Sequence, residues 1–357
     1  MQASAVALET TPRRVEYIRG FAILLVIAIV GLAYVKWSPY LTRTQDVAVS
    51  HSLGTSIVSG RDAAPPDPSL QTGIDYTIAY MQRIWMAMVL GLLLAATVDT
   101  LIPRDWLVRV LGSRAASSSI LGGLLALPGM MCSCCAAPVG LALRKRGASA
   151  GSAIAFTVGN PTLNLAVIAW IGLALGWQWA LLRVVVGAGL VTAAVALTNR
   201  MAPVQVLTDY GPDSSPVAAE DSGNWVLRWL KSLVRYSIIL VPLMLALVVL
   251  LGAARAYLFP AVGADWGNNP LAIIALAIAG TLFPIPTGAE IPIVQTMMGF
   301  GLGAGPAAAL LVTLAPVSAA SLAMLRHGFP TRVVLLLAGI TATAGVVAAL
   351  LAIALGL

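Results

Sequence analysis

The sequence predicts an all-α polytopic membrane protein: two inverted-topology repeats, each with a re-entrant broken-helix hairpin, preceded by one extra N-terminal helix. Three observations predict it. Of 357 residues, 59% are hydrophobic and 10% charged, with a mean hydropathy of +0.91, whereas a soluble domain carries roughly 25% charged residues. So little charge cannot coat a water-facing surface of this size, which excludes a soluble enzyme, a disordered regulator and a nucleic-acid-binding domain. The apolar residues fall into runs of about 20, enough to span roughly 30 Å of hydrocarbon at 1.5 Å per residue. Proline and glycine interrupt two of these runs at corresponding places in the two halves of the chain, the mark of a transporter built from repeats.

Residues 1–17 form a cytoplasmic N-terminus with Arg13 and Arg14; Arg19 then leads into an apolar run over 21–35. The first transmembrane helix is assigned to 18–36. A cleaved signal peptide is the competing reading, but the charged lead is long and no small-x-small cleavage site follows. Residues 37–83, with Pro65, Pro66 and Pro68, read as an extracytoplasmic loop. The first repeat covers 84–199, with spans at 84–102, 149–175 and 177–198 and an interrupted stretch at 116–143. Trp177 and Trp179 at a turn suit the interfacial belt. A polar cytoplasmic linker, 200–232, carries Asp209, Pro212, Asp213, Pro216, Glu220 and Asp221. The second repeat, 233–357, has spans at 236–254, 305–325 and 333–356 and its interrupted stretch at 270–300.

The segment 147–153 stands opposite 301–307, and the span after each carries Asn160-Pro161 or Ala315-Pro316, one residue out of strict step. Charge sets the topology. Arg144, Lys145 and Arg146 lie outside if 116–143 crosses once, against the positive-inside rule, and inside if the stretch turns back near its cysteines. With the turn, 15 Lys/Arg lie inside and six outside: Lys36, Arg43, Arg61, Arg83, Arg183 and Arg255. The same path sends the two halves through the bilayer in opposite directions, which allows alternating access around a central site.

Helix breaks in a membrane free backbone N–H and C=O groups that protein, water or substrate must satisfy, so the two hairpin tips are the expected binding region. At the first tip lie Cys132, Ser133, Cys134 and Cys135. Three sulfurs so close in sequence make a poor staple, because bridging them closes almost no loop. They read either as soft donors for a thiophilic metal or metalloid, Cys132, Cys134 and Cys135 being the ligands, or as small apolar packing residues. At the second tip Glu290 is the only ionisable residue from Asn268 to Leu325. An acid at that depth is a functional candidate, suited to proton coupling; the bland alternative is a first-turn acid favoured by the helix dipole. Asn160, Pro161, Thr162 and Asn164 sit mid-span, where proline removes a helix hydrogen bond, and either line a site or repair the backbone. Ser318, after Pro316, is their second-half counterpart.

Through the run 131–138 around Cys132-Ser133-Cys134-Cys135, through Arg146-Gly147-Ala148-Ser149 and through Gly159-Asn160-Pro161-Thr162-Leu163-Asn164, the chain resembles the bacterial predicted-permease family that includes the organoarsenical efflux permeases. The similarity covers roughly 80–356. It implies a multi-pass protein of the bacterial inner membrane, N-terminus in the cytoplasm, in which the three cysteines meet a thiophilic substrate. No Gly-x-x-x-x-Gly-Lys-Ser/Thr motif is present, so ATP-driven pumping by this chain alone is not expected, and no cofactor is implied.

The reading that follows is a secondary permease exporting a small thiophilic metal or metalloid species, trivalent organoarsenical-like and coupled to protons. A permease for another sulfur-containing or anionic solute, with cysteines that only pack, is the first rival; a non-transporting membrane assembly factor is the second. Neither His51 nor His327 lies near a plausible nucleophile in sequence, so an enzyme is not expected. The partners implied are the lipid bilayer, the thiophilic substrate and further copies of the chain in a homo-oligomer, with no nucleic acid.

Overall fold

The computed structural model describes residues 20–113, 115–202, 224–261 and 267–357. Arg13, Arg14, Arg19 and Arg114, with the linker residues Asp209, Pro212, Asp213, Pro216, Glu220 and Asp221, lie outside the described residues, as does the 1–17 segment. Among the described residues the regular structure is helical, with no strand beyond isolated bridges. Six helical stretches are long and apolar enough to cross a membrane: Gly20–Ser50 (α1), Leu70–Leu101 (α2), Ala150–Ala174, Trp177–Met201 (α8), Trp225–Ala253 (α9) and Thr331–Leu355 (α14).

The remaining elements are shorter. Arg104–Leu111 (α3) precedes Ala116–Ala126 (α4) and Ser133–Lys145 (α5). The stretch Ala150–Ala174 is itself broken, into Ala150–Thr162 (α6) and Leu165–Ala174 (α7). Pro270–Leu282 (α10), Glu290–Gly299 (α11), Ala304–Thr313 (α12) and Ala319–Leu325 (α13) follow in the second half.

Two boundaries differ from expectation. The first helix does not stop at 36: a π segment at Ala33–Trp37 resets the helix beside Pro39, and the chain continues to Ser50, where His51 (φ 52°) terminates it. An extra residue in the turn absorbs the donor that proline lacks. The second helix starts at Leu70, not 84, because Ser69 and Thr72 form a reciprocal cap just past the prolines. The loop expected over 37–83 is therefore helical at both ends, its polar residues having masked helix that continues beyond the apolar run.

Close backbone approaches at glycine fix the directions in which helices run. A Cβ on Gly73 would sit 2.5 Å from the Val249 carbonyl oxygen, and Tyr76 packs on Gly252. At the other end of the pair the Trp229 indole N–H donates to the Thr97 hydroxyl (3.0 Å). Thus α2 and α9 lie antiparallel along their length. Gly122 packs on the Ser152 carbonyl and Gly159 on Ala126, so α4 runs parallel to α6; Gly140 packs on Thr157 and Met131 bonds Asn160, so α5 runs back. The Ser149 N–H donates to the Leu111 carbonyl (2.7 Å) and joins the two ends of this loop. Its turn is a 3-10 segment, Leu127–Gly129, followed by Met130 at φ 46°. In the second half, Gly280 packs on Thr313 and Gly305 on Ile273, so α10 runs parallel to α12, and the Gly303 N–H donates to the Gly267 carbonyl (2.9 Å) to join the ends of α10 and α11.

The cations also differ from expectation. Lys36, Arg183 and Arg255, read as outside residues, are 5%, 1% and 6% exposed; a charged head inside a helix bundle must find acceptors there. Arg255 donates to the Thr72 and Gly252 carbonyls, and Lys36 to the Tyr40 hydroxyl (2.9 Å). Asp99 is buried at the end of α2. It accepts from Lys145 Nζ (2.9 Å) and the Ser232 hydroxyl (2.7 Å), with Arg235 Nη2 at 3.6 Å, so one carboxylate ties α2, α5 and α9 together.

Candidate functional site

Each break leaves the start of a new helix inside the protein, and a different residue prepares each one. Cys132 is the N-cap of α5; its carbonyl accepts from the Cys135 and Ala136 N–H groups (3.2 and 3.0 Å), while its thiol makes no cap. Asn164 caps α7 through Oδ1, which accepts from Ala166 and Val167 N–H (3.1 and 3.3 Å). Ser318 caps α13 in a reciprocal pair with Ser321. Glu290 is the first residue of α11, after a tip in which Gly288 takes φ 82° against the Trp170 ring. A side chain there would be strained in backbone and would collide with the indole.

These starts meet at the centre. Cys132, Pro161, Val167, Thr287, Glu290 and Ala315 line one small cavity of about 10 Å³, room for roughly one water. Beside it the first tip touches α13 from the other half: Ser133 Oγ and Cys134 Sγ each lie 3.5 Å from Ser318 Oγ. A larger open groove of about 520 Å³ runs along the outer face of α9 and holds none of these residues.

The sulfurs do not act as a set. Cys132 Sγ and Cys135 Sγ, one helical turn apart, are separated by 2.9 Å, whereas Cys134 faces the Tyr80 hydroxyl (3.4 Å) and Ser318. All three thiols are free and buried. Among the described residues no group of three His, Cys, Asp or Glu is disposed to hold a metal ion. Around the first turn of α5 the middle thiol points away from the other two, which leaves Cys132 and Cys135 side by side.

The mid-span residues divide. Asn160 Oδ1 accepts from the Met131 N–H (2.8 Å), so it holds the first tip in place, and its Nδ2 is buried without a partner. Thr162 spends its hydroxyl on the Val158 carbonyl. Pro161 reaches the cavity wall. Asn164 and Ser318 serve mainly as caps.

Arg183 was hidden in the sequence. From α8 its Nε donates to the Thr162 carbonyl (3.0 Å), Nη2 to the Pro161 carbonyl (3.2 Å) and Nη1 to the Leu311 carbonyl. Its Nη2 also lies 3.7 Å from Glu290 Oε1, both side chains being 1% exposed. Glu290 Oε2 is buried without a partner, and the residue lines the cavity. The signal that could have found Arg183 is its setting: a lone cation between Leu181, Leu182, Val184 and Val185 needs an interior partner. Lys36 was missed in the same way. It belongs to the π segment that covers the first tip, where the Trp37 N–H donates to the Pro128 carbonyl (2.9 Å) and the Tyr40 hydroxyl to Met130 (3.4 Å).

A family model described as "Predicted permease" matches residues 15–160 and 69–353. UPF0718 protein YraQ of Escherichia coli (strain K12) is 41% identical, over 91% of this chain and 92% of its own. UPF0718 protein MJ0584 of Methanocaldococcus jannaschii is 24% identical, over 68% of this chain and 83% of its own. No solved structure matches.

Proposed function

The chain belongs to the predicted-permease family, and from that premise we propose that it is a secondary permease of the bacterial inner membrane, N-terminus in the cytoplasm, exporting a small thiophilic metalloid species. One observation carries the proposal: Cys132, paired with Cys135, and Glu290 come from the two halves of the chain and line the same buried cavity. Thiol sulfur at a helix start is a soft donor in a setting that favours thiolate. A trivalent organoarsenical with two exchangeable oxygen ligands matches two adjacent sulfurs better than it matches three. Glu290, with one oxygen towards Arg183 and the other without a partner, lines the cavity and is the residue that would carry a coupled proton.

Two inverted-topology repeats with re-entrant hairpins fit the same reading. The ends of the α4–α5 loop lie by Asp99, at the end of α2 and the start of α9, while the α10–α11 loop opens near Gly267, shortly after the opposite end of α9. Hairpins entering from opposite faces and meeting at a shared site support alternating access. The expected partners are lipid, substrate and further copies of the chain. Transport needs no covalent step at the protein beyond ligand exchange on sulfur, in keeping with a permease and not an enzyme.

A second reading has its own support. Three helix starts, those of α5, α7 and α11, converge on the cavity, and N-terminal dipoles favour an anion; Cys134, held between Tyr80 and Ser318, is a packing residue. In that reading the solute is a small sulfur-containing or anionic species and the cysteines only fill space. Everted membrane vesicles separate the two. Uptake of a trivalent methylated arsenical should be lost in Cys132→Ser and in Cys135→Ser, kept in Cys134→Ser and weakened in Glu290→Gln. Full uptake by a Cys132→Ser/Cys135→Ser double variant would remove the sulfur site and favour the second reading.

A further inference from the structure

Arg183 touches a break in each half of the chain. Its donors take the carbonyls of Pro161 and Thr162, at the break between α6 and α7, and the carbonyl of Leu311, just before the break between α12 and α13. Its remaining contact is Glu290 on the second hairpin, at 3.7 Å. A guanidinium with five donors in a rigid plane suits four such acceptors, and a lysine does not. The helix stops at Thr162, so the carbonyls of Pro161 and Thr162 lack the N–H donors that a continuing helix would supply four residues on. Burial then makes an unanswered carbonyl costly.

Glu290 adds an independent observation. One carboxylate oxygen, Oε1, lies towards Arg183; Oε2 is buried and unpartnered, and the residue lines the cavity together with Cys132. The carboxylate is thus shared between a fixed internal partner and whatever fills the cavity. We propose that Arg183 is a positioning residue that locks the broken helices of both halves to the second hairpin, and that occupancy of the cavity at Glu290 loosens this lock and lets the halves move. This rests on the permease reading but names a residue and a step which that reading leaves open. The loosening follows from competition: a proton or a donor hydrogen on the cavity side withdraws charge from Oε1, and the contact to Arg183 weakens, while the three carbonyl bonds hold the guanidinium in place.

The test needs no substrate. In a chain with Cys132, Cys134 and Cys135 changed to Ser, Thr287→Cys puts a single thiol on the cavity-lining tip. Its rate of reaction with a membrane-impermeant maleimide, applied to right-side-out and to everted vesicles, reports how often the cavity opens to each side. With a coupling of ordinary size, Arg183→Gln raises the rate from one side by roughly five- to tenfold, Glu290→Gln does the same from the same side, and the double variant goes no further than either. Arg183→Lys, which keeps charge but not the fork, lies between. A residue that served only to hold the fold together would raise labelling from both sides, and its effect would add to that of Glu290→Gln. Unchanged rates in Glu290→Gln, or additivity in the double variant, overturn the proposal. If Arg183→Gln does not elute as a single species in detergent, the Arg183→Lys and Glu290→Gln pair decides by the same criterion. Arsenical transport by the wild-type chain without these labelling effects removes the lock and leaves the permease reading standing; the labelling effects in a chain that transports no arsenical keep the lock and remove the arsenical substrate.

Discussion

Gly91 is where α2 comes closest to the cysteine-bearing helix, and replacing it with alanine gives a perturbation whose size follows from the geometry. The added Cβ would lie 2.5 Å from the Cys135 carbonyl oxygen and 3.4 Å from its carbonyl carbon. Ordinary contact begins near 3.4 Å, so the two helices must part by about 0.9 Å, since a backbone carbonyl cannot swing aside as a flexible side chain can. Overpacking of this kind costs about 1–3 kcal/mol. Against it stands the gain of about 1 kcal/mol when alanine replaces glycine inside a helix. Gly189 in α8 supplies the reference, because nothing lies within 4 Å of a Cβ there. Gly189→Ala should therefore be neutral or stabilised, and Gly91→Ala should fall below it by about 1–3 kcal/mol. Equilibrium unfolding of both variants in mixed detergent micelles measures the gap. Equal stabilities would show that α2 and α5 are not in backbone contact at Cys135, and the placement of the first tip would fail with it.

Asp99→Asn removes the negative charge that Lys145, Arg146 and Arg235 share; the partners are partly exposed, so the loss should be moderate, about 1–3 kcal/mol in the same unfolding assay, and smaller in high salt. Asn164→Ala strips the cap from α7 and leaves the Ala166 and Val167 N–H groups open, a loss of about 0.5–2 kcal/mol that Asn164→Asp should largely restore.

The helix breaks were legible because proline and glycine announce them. Pro128 and Gly129 mark the first turn, Pro284, Pro286 and Gly288 the second, and Pro161 and Pro316 the interrupted spans. Glu290 was legible because an acid without company in so long an apolar stretch stands out. The directions of the sulfurs were not, since three cysteines within four positions look like one cluster until the first turn of α5 distributes them around its axis. The interior cations were misplaced for a related reason. Counting charge at helix ends assumes that every Lys and Arg seeks water, and Arg183 and Lys36 instead seek carbonyl and hydroxyl oxygens that only the folded chain brings to them. The polar residues of 70–83 hid the first turns of α2, because a helix lining other protein needs no apolar run.

α1 belongs to neither half, yet it is fastened to both. It holds the first tip through Trp37 and Tyr40, receives the Trp170 N–H on Thr44 (2.8 Å), and at His51 contacts the end of α7 and Gln295 of α11. A carrier with perfect internal two-fold equivalence would divide its time evenly between facing inward and facing outward. An unmatched helix that grips one tip more than the other abolishes that degeneracy, and an offset of about 1.4 kcal/mol already makes the favoured orientation ten times as populated as the other. The empty protein should accordingly wait with its entrance towards one compartment, and α1 sets the direction of that bias.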